Sequence, residues 1–135
     1  MLKNFTEELY QAISFHKGSA PNYAALKSRF LQEGILINNK GEAPVIKTID
    51  KYVEFIKGNV EAGNILALTE SEISSCIEIY GDVGNITSRY QLLFEISTGV
   101  FVRYGINLIQ VIRRDSQWYI SSMCWDDRED QSMFA

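Results

Sequence analysis

Apolar residues in the first sixty positions recur every three to four residues, which is the period of a helix with one buried face. This pattern predicts three helices, over residues 4–16, 22–32 and 48–60. The third helix carries Ile49, Val53 and Ile56 on one stripe, and we expect that stripe to pack against the inner face of a sheet.

From Ala67 onward the period changes to two, which indicates strands with one buried face. Turn residues divide this part into four predicted long strands: 67–80, 86–97, 101–113 and 117–125. A short strand is predicted at 35–37, after Gly34, which we expect to end the second helix. Helices followed by consecutive strands predict an α+β domain, with three N-terminal helices packed on a curved, mainly antiparallel sheet.

The composition fits one globular domain spanning residues 1–135. The chain is 46% hydrophobic and 22% charged, enough to form one core without disulfides or metal. Cys76 and Cys124 are far apart and have no histidine at ligand spacing, so we expect two reduced thiols, no metal site and no cofactor.

Charge and hydropathy exclude two classes of partner. The net charge is −4, with four acids between Asp126 and Asp130, and no clustered positive field exists for nucleic acid. No segment approaches the roughly 20 apolar residues of a membrane span, and the N-terminus lacks the apolar run of a signal peptide. We therefore expect a cytoplasmic protein with neither nucleic acid nor membrane as partner.

The order of elements, together with the segments Gly105–Gln110 and Trp118–Trp125, resembles the nuclear transport factor 2-like superfamily. The resemblance is to a bacterial branch whose members mostly have no assigned function. It implies a cone-shaped fold with a central cavity, and a homodimer through the outer face of the sheet. Apolar residues on both parities of 106–112 also predict the dimer, because helices can cover only one face.

Ketosteroid isomerases, scytalone dehydratase and polyketide cyclases belong to this superfamily, but their catalytic groups do not transfer to this chain. Where the isomerases have a carboxylate base at the end of the first short strand, this chain has Asn38 or Asn39. An amide cannot accept a proton at neutral pH. Tyr10 lies one position off the predicted inward stripe, and His16, the only histidine, lies at the helix end. We therefore assign no catalytic residue.

Four residues are predicted to border the cavity and bind a ligand: Tyr90, Arg103, Asn107 and Trp125. Arg103 and Asn107 share one parity of an otherwise apolar strand, where a guanidinium and an amide can hold a carboxylate. A cross-strand pair between Arg103 and Glu95 is the alternative for the guanidinium. The expected ligand is a small molecule with an apolar body and an acidic or carbonyl head.

Two functions follow from these predictions. The first is a non-catalytic module that binds a small apolar or carboxylate ligand, or a partner protein. The second is a small cofactor-free lyase or isomerase of the ketosteroid isomerase or polyketide cyclase kind. A carboxylate or histidine inside the cavity would distinguish them. Glu72 and Glu78 are expected to face solvent, so the module is the primary prediction.

Overall fold

Three helices and six strands make up the computed structural model, which describes residues 2–134. The helices are α1 (Phe5–Ile13), α2 (Tyr23–Ser28) and α3 (Ile49–Glu61). The strands are β1 (Phe30–Asn38), β2 (Val45–Thr48), β3 (Ala67–Tyr80), β4 (Val83–Ile96), β5 (Gly99–Arg114) and β6 (Gln117–Arg128). A short 3₁₀ helix follows at Ser132–Phe134.

All six strands form one sheet in the order β2-β1-β6-β5-β4-β3. Every neighbouring pair is antiparallel except β1 and β6, which run parallel. The predicted α+β class, with N-terminal helices on a curved and mainly antiparallel sheet, is confirmed. No helix in the described part of the chain is long and apolar enough to cross a membrane.

The second predicted helix is wrong at its C-terminal end. The chain leaves the helix after Ser28 and enters β1 at Phe30, so Gly34 lies inside a strand. A Cβ on Gly34 would meet the carbonyl oxygens of Leu31 and Ile120, each at 2.9 Å. Glycine is therefore needed for a close approach between β1 and β6, where their pairing is irregular, and does not end a helix.

Strand β2 is absent from the sequence prediction because it has only four residues and lies at the edge of the sheet. It pairs with the C-terminal half of β1. Its last residue, Thr48, also caps α3, since its side chain accepts a hydrogen bond from the backbone N–H of Lys51. The short strand therefore positions the start of α3.

The core lies between the helices and the face of the sheet that they cover, called here the inner face. The predicted stripe of α3 is confirmed, because Ile49, Val53 and Ile56 are all buried. None of the helices α1, α2 and α3 covers the opposite, outer face, on which Leu108 is 51% exposed and Tyr104 packs against Phe134 of the 3₁₀ helix. The homodimer through this face stays a prediction.

Candidate functional site

A cavity of about 270 Å³ opens between α3 and the inner face of the sheet. Its apolar and aromatic walls come from α1, α3, the segment after α3, and strands β3, β4 and β6: Ile13, Tyr52, Phe55, Ile56, Ile65, Leu68, Leu92, Phe94, Ile96, Met123 and Trp125. Its remaining lining residues are polar: Asn38, Lys40, Glu70, Tyr90, Asn107 and Asp127. An apolar cleft with a few convergent polar groups is the usual form of a small-molecule site.

Glu70, on β3, places a carboxyl group in this cavity. Burial, together with the smaller effect of the nearby charge of Asp127, raises the pKa of Glu70 to about 8. The amide of Asn107, which donates to Oε2 at 3.5 Å, and the charge of Lys40 oppose this rise. At neutral pH the carboxyl group is therefore mostly protonated, and a modest change in surroundings or pH would ionise it.

A β-bulge explains why Glu70 faces inward. The pairing of β3 with β4 shifts between Glu72 and Ser74, so one extra residue lies on β3. Before the shift Glu70 pairs with Leu92, and after it Ile77 pairs with Ile86. Even-numbered residues thus face inward before the bulge and odd-numbered residues after it.

A chain of hydrogen bonds fixes the orientation of Asn107, which is 1% exposed. Its Nδ2 donates to the Tyr10 hydroxyl at 2.8 Å. Tyr10 and Ser88 are 2.7 Å apart, and Ser88 donates to Glu72 at 2.6 Å. Because the Ser88 hydrogen points to Glu72, the Ser88 oxygen accepts from Tyr10, and Tyr10 accepts from Asn107. The Asn107 amide therefore presents N–H groups to Tyr10 and Glu70.

This chain corrects two expectations. Glu72 does not simply face solvent, since it accepts hydrogen bonds from Ser88 and from Thr6 of α1. Tyr10 is buried on the inward side of α1, and desolvation raises the pKa of its hydroxyl. Because the Tyr10 hydrogen is directed to Ser88, this hydroxyl does not donate into the cavity.

Asp127, on β6, forms a second acidic position. The Tyr90 hydroxyl donates to its Oδ2 at 3.0 Å, and Lys40 Nζ lies 3.6 Å from the same oxygen. The other oxygen, Oδ1, is buried and has no hydrogen-bond partner among the described residues. Gly105 lies beside both side chains in the sheet, and a Cβ there would overlap the Tyr90 hydroxyl.

The structure places three of the four predicted ligand-binding residues at the cavity: Tyr90, Asn107 and Trp125. Arg103 lies on the same face but beyond the cavity, where its guanidinium is 3.9 Å from Glu129. Glu95, the alternative partner, pairs with Lys17 instead. Arg103 therefore has no part in the site proposed below.

Sequence reasoning missed Glu70, Asp127 and Lys40, although all three line the cavity. The predicted last strand ended at Trp125, so Asp127 was counted among the acids that follow it. In the structure β6 continues to Arg128, and Asp127 lies on the inner face of the sheet. The residue opposite Asp127 on β5 is Gly105. A glycine within a long strand is a signal in the sequence that another group approaches the backbone closely, as the Tyr90 side chain does here.

Within residues 2–134 no three acidic, histidine or cysteine side chains form a group that could hold a metal ion.

Comparison with known proteins adds a fold but no sequence family. No family model matches the sequence, and no curated protein matches it significantly. A nuclear transport factor 2-like protein of unknown function from Silicibacter pomeroyi aligns with a TM-score of 0.63 at 14% identity. That alignment covers 94% of this chain and 92% of the other chain. The fold is the nuclear transport factor 2-like cone.

Two other solved structures with this fold differ in what is known of them. A cystatin-like fold protein of unknown function from Nostoc punctiforme has a TM-score of 0.69 at 11% identity, covering 97% of this chain and 90% of that one. The hexachlorocyclohexane dehydrochlorinase LinA-type3 from Novosphingobium barchaimii has a TM-score of 0.74 at 12% identity, covering 94% and 84%. At these identities the likeness shows the cone fold alone, so the chemistry is argued from this chain's own residues.

Proposed function

We propose that the cavity binds a small, uncharged, largely apolar molecule and that Glu70 transfers a proton to or from it, as in a cofactor-free lyase or isomerase. One observation carries the proposal. The Glu70 carboxyl group lies in an apolar, aromatic-lined cavity with only a weak hydrogen bond from Asn107. A carboxylate in the cavity is the feature that favours proton-transfer chemistry over simple binding.

The surroundings of Glu70 suit a general base. Brønsted behaviour makes a base most effective when its pKa lies near the working pH, and burial raises the pKa of Glu70 to about 8. The ionised form is therefore a stronger base than an exposed glutamate. Asn107 holds the carboxyl group from one side, so its other oxygen is available to a proton of the bound molecule.

Lys40 is the group best placed to stabilise negative charge that develops on the substrate. It lies at the rim of the cavity and is the one cation in the cavity lining of the described structure. Preorganised positive charge near a developing anion is a common source of rate enhancement. The Tyr90 hydroxyl donates to Asp127 and the Tyr10 hydroxyl to Ser88, so neither takes this role.

The same charges disfavour a carboxylate ligand. When Glu70 is in the ionised form that acts as the base, two carboxylates, Glu70 and Asp127, face one lysine in the cavity, and the guanidinium of Arg103 lies elsewhere. An uncharged substrate avoids the electrostatic cost of placing an anion beside them. A dehydrochlorinase shares the cone fold, so the fold accommodates an elimination in one other protein.

The test uses nitrobenzisoxazole, a small apolar probe for a base in an apolar site. The base removes the carbon-bound proton, the ring N–O bond breaks, and the coloured cyano-nitrophenolate ion forms. We expect saturable acceleration over buffer, with a rate that rises with pH through a midpoint near 8. Glu70→Gln should lower the rate about 100-fold or more.

Glu78→Gln is the matched control, because Glu78 lies on the same strand but is exposed. This variant should keep the wild-type rate. Saturable binding of the probe to the wild type with no acceleration would contradict proton transfer and leave the non-catalytic binding module. Equal rates for wild type and Glu70→Gln would remove Glu70 from the mechanism.

A further inference from the structure

We infer that Glu72 is a positioning residue for the proposed base, Glu70. As the last acceptor of the hydrogen-bond chain under α1, it keeps an N–H group of the Asn107 amide directed at the Glu70 carboxyl group. This inference deepens the proposed function and rests on it, because it assigns control of the base to a residue outside the cavity lining. Glu72 acts through other side chains and is not a catalytic residue.

The direction of the chain is set at Glu72. The hydroxyl groups of Thr6 and Ser88 both donate to its Oε2, at 2.5 and 2.6 Å, so this oxygen is an acceptor only. With its hydrogen directed to Glu72, Ser88 has only lone pairs left for Tyr10. Tyr10 therefore donates to Ser88 at 2.7 Å and accepts from Asn107 at 2.8 Å.

The amide of Asn107 transmits this direction to Glu70. One nitrogen, Nδ2, makes both contacts, with the Tyr10 hydroxyl at 2.8 Å and with Glu70 Oε2 at 3.5 Å. A half-turn of the amide would put its carbonyl oxygen in the same place and reverse both contacts at once. That oxygen would find no donor in Tyr10, whose hydrogen is directed to Ser88. The half-turn is therefore disfavoured as long as the chain keeps its direction.

Burial makes each hydrogen bond of the chain costly to lose. Thr6, Tyr10, Ser88 and Asn107 are each at most 1% exposed. A buried polar group that loses its partner pays the full cost of its desolvation. Glu72 is only half-buried, so the chain runs from the partly solvated end at β3 to the amide beside the cavity.

Loss of the acceptor at Glu72 would let the chain reverse. Ser88 would then donate to Tyr10, Tyr10 would donate to Oδ1 of Asn107, and the same Oδ1 would face Glu70. A carbonyl oxygen repels an ionised carboxylate but accepts a hydrogen bond from a protonated carboxyl group. The reversed chain therefore favours the protonated form of Glu70 and raises its pKa.

Direct charge effects on Glu70 have the opposite sign. Asp127 raises the pKa of Glu70 and Lys40 lowers it. Removing the negative charge of Glu72 would remove a repulsion and so lower the pKa of Glu70. Loss of the Asn107 donor would raise it, because this hydrogen bond lowers the pKa. The sign of the shift therefore separates the two effects. The other titratable groups that interact with Glu70 are tyrosine hydroxyls from α1, α3 and β4: Tyr10, Tyr52 and Tyr90.

NMR titration of the Glu70 side-chain carboxyl carbon tests the inference in two variants that break the chain. Glu72→Leu removes the acceptor, and Ser88→Ala interrupts the chain while leaving Glu72 in place. Both variants should raise the midpoint above the wild-type value by about one pH unit, the order of the effect of one hydrogen bond to a charged group.

Two matched variants should keep the wild-type midpoint. Glu72→Gln is the conservative one: Thr6 and Ser88 meet the same oxygen of Glu72, so one amide carbonyl can accept both hydrogen bonds. Thr6→Val keeps the shape of the side chain and removes a donor that lies outside the path from Glu72 to Asn107.

An unchanged or lower midpoint in Glu72→Leu would overturn the inference. So would equal shifts in Glu72→Gln and Glu72→Leu, which would indicate the charge, or equal rises in Thr6→Val and Ser88→Ala, which would indicate a general loss of packing. If Glu72→Leu does not fold, the comparison of Ser88→Ala with Thr6→Val decides the same question.

The rate of nitrobenzisoxazole elimination reports proton transfer separately from these midpoints. Midpoints that shift as expected, in a protein that does not accelerate the elimination, would contradict the proposed function alone. Midpoints that stay unchanged, in a protein whose acceleration depends on Glu70, would contradict the positioning role of Glu72 alone.

Discussion

The two halves of the inner face contain similar polar residues but treat them differently. Under α1, the side chains of Tyr10, Ser88 and Glu72 form a continuous chain in which each hydroxyl hydrogen has an acceptor. Under α3, Glu70 has one weak donor and Asp127 has a buried oxygen without a partner. Asn107 joins the two halves. The packed half satisfies the hydrogen bonds of its hydroxyl groups, and the open half leaves the Glu70 carboxyl group without a strong partner.

The largest expected effect comes from disrupting the packed side of α3. Val53 is buried in the core that this helix forms with the sheet. Val53→Asp would place an unpaired carboxylate there, and we expect loss of folding, because such a burial costs several kcal/mol against a total stability of about 5–15 kcal/mol. Circular dichroism and thermal melting measure this. A soluble variant with wild-type melting would show that the α3 stripe does not form the core.

The second largest effect is a change in the pH dependence of the free energy of unfolding in the variant Glu70→Gln. The pKa of Glu70 is about 8 in the folded chain and 4.5 by ordinary value, so between these pH values the native state holds a proton that the unfolded state has lost. Wild-type stability therefore falls as pH rises from about 4.5 to 8. Glu70→Gln should match the wild type near pH 4 and exceed it at pH 9 by about 3–5 kcal/mol, at about 1.4 kcal/mol per pKa unit.

Urea unfolding at a series of pH values measures this difference. Glu78→Gln again serves as the control, since this exposed residue should leave the pH profile unchanged. Parallel profiles for wild type and Glu70→Gln would mean that the folded chain does not hold the carboxyl group in its neutral form.

A smaller effect is expected at the contact between Tyr90 and Asp127. Gly105→Ala would push a methyl group into the Tyr90 hydroxyl and should destabilise the fold by about 1–3 kcal/mol, as overpacking does. Gly58→Ala is the control, because a Cβ on this α3 glycine meets no atom within 4 Å. If Gly105→Ala melts at or above the wild-type temperature, the close approach of Tyr90 to β5 is not as described.

The smallest effect on stability is expected on the outer face, where Leu108 is exposed. Leu108→Arg should change unfolding free energy by less than about 0.5 kcal/mol, as surface substitutions do. It should nevertheless convert the predicted homodimer to a monomer of 15.4 kDa. Light scattering at micromolar concentration reports both states. A wild-type protein that is already monomeric would contradict the dimer.

Local periodicity predicted most of the fold, because each helix and long strand buries one regular stripe. The Ile49, Val53 and Ile56 stripe is an example. Prediction failed where local pattern and tertiary pairing disagree. Phe30 fits a helical stripe but begins β1, because pairing with β6 determines the conformation there.

The candidate site was only partly predictable for the same reason. Asn107 and Trp125 stand out as polar or aromatic residues in apolar strands, and both lie at the cavity. Glu70 did not stand out in the sequence. Ile77 faces inward, and in a regular strand every even-numbered residue of β3, including Glu70, would then face outward. The bulge that reverses the parity depends on pairing with β4, which local alternation does not encode.

The central claim is that Glu70 is a half-buried carboxyl group whose proton is exchangeable near neutral pH. The most direct measurement is the titration of its side-chain carboxyl carbon by NMR, assigned by comparison with Glu70→Gln. The account predicts a midpoint pKa near 8. A midpoint near 4.5, the ordinary value, would contradict it.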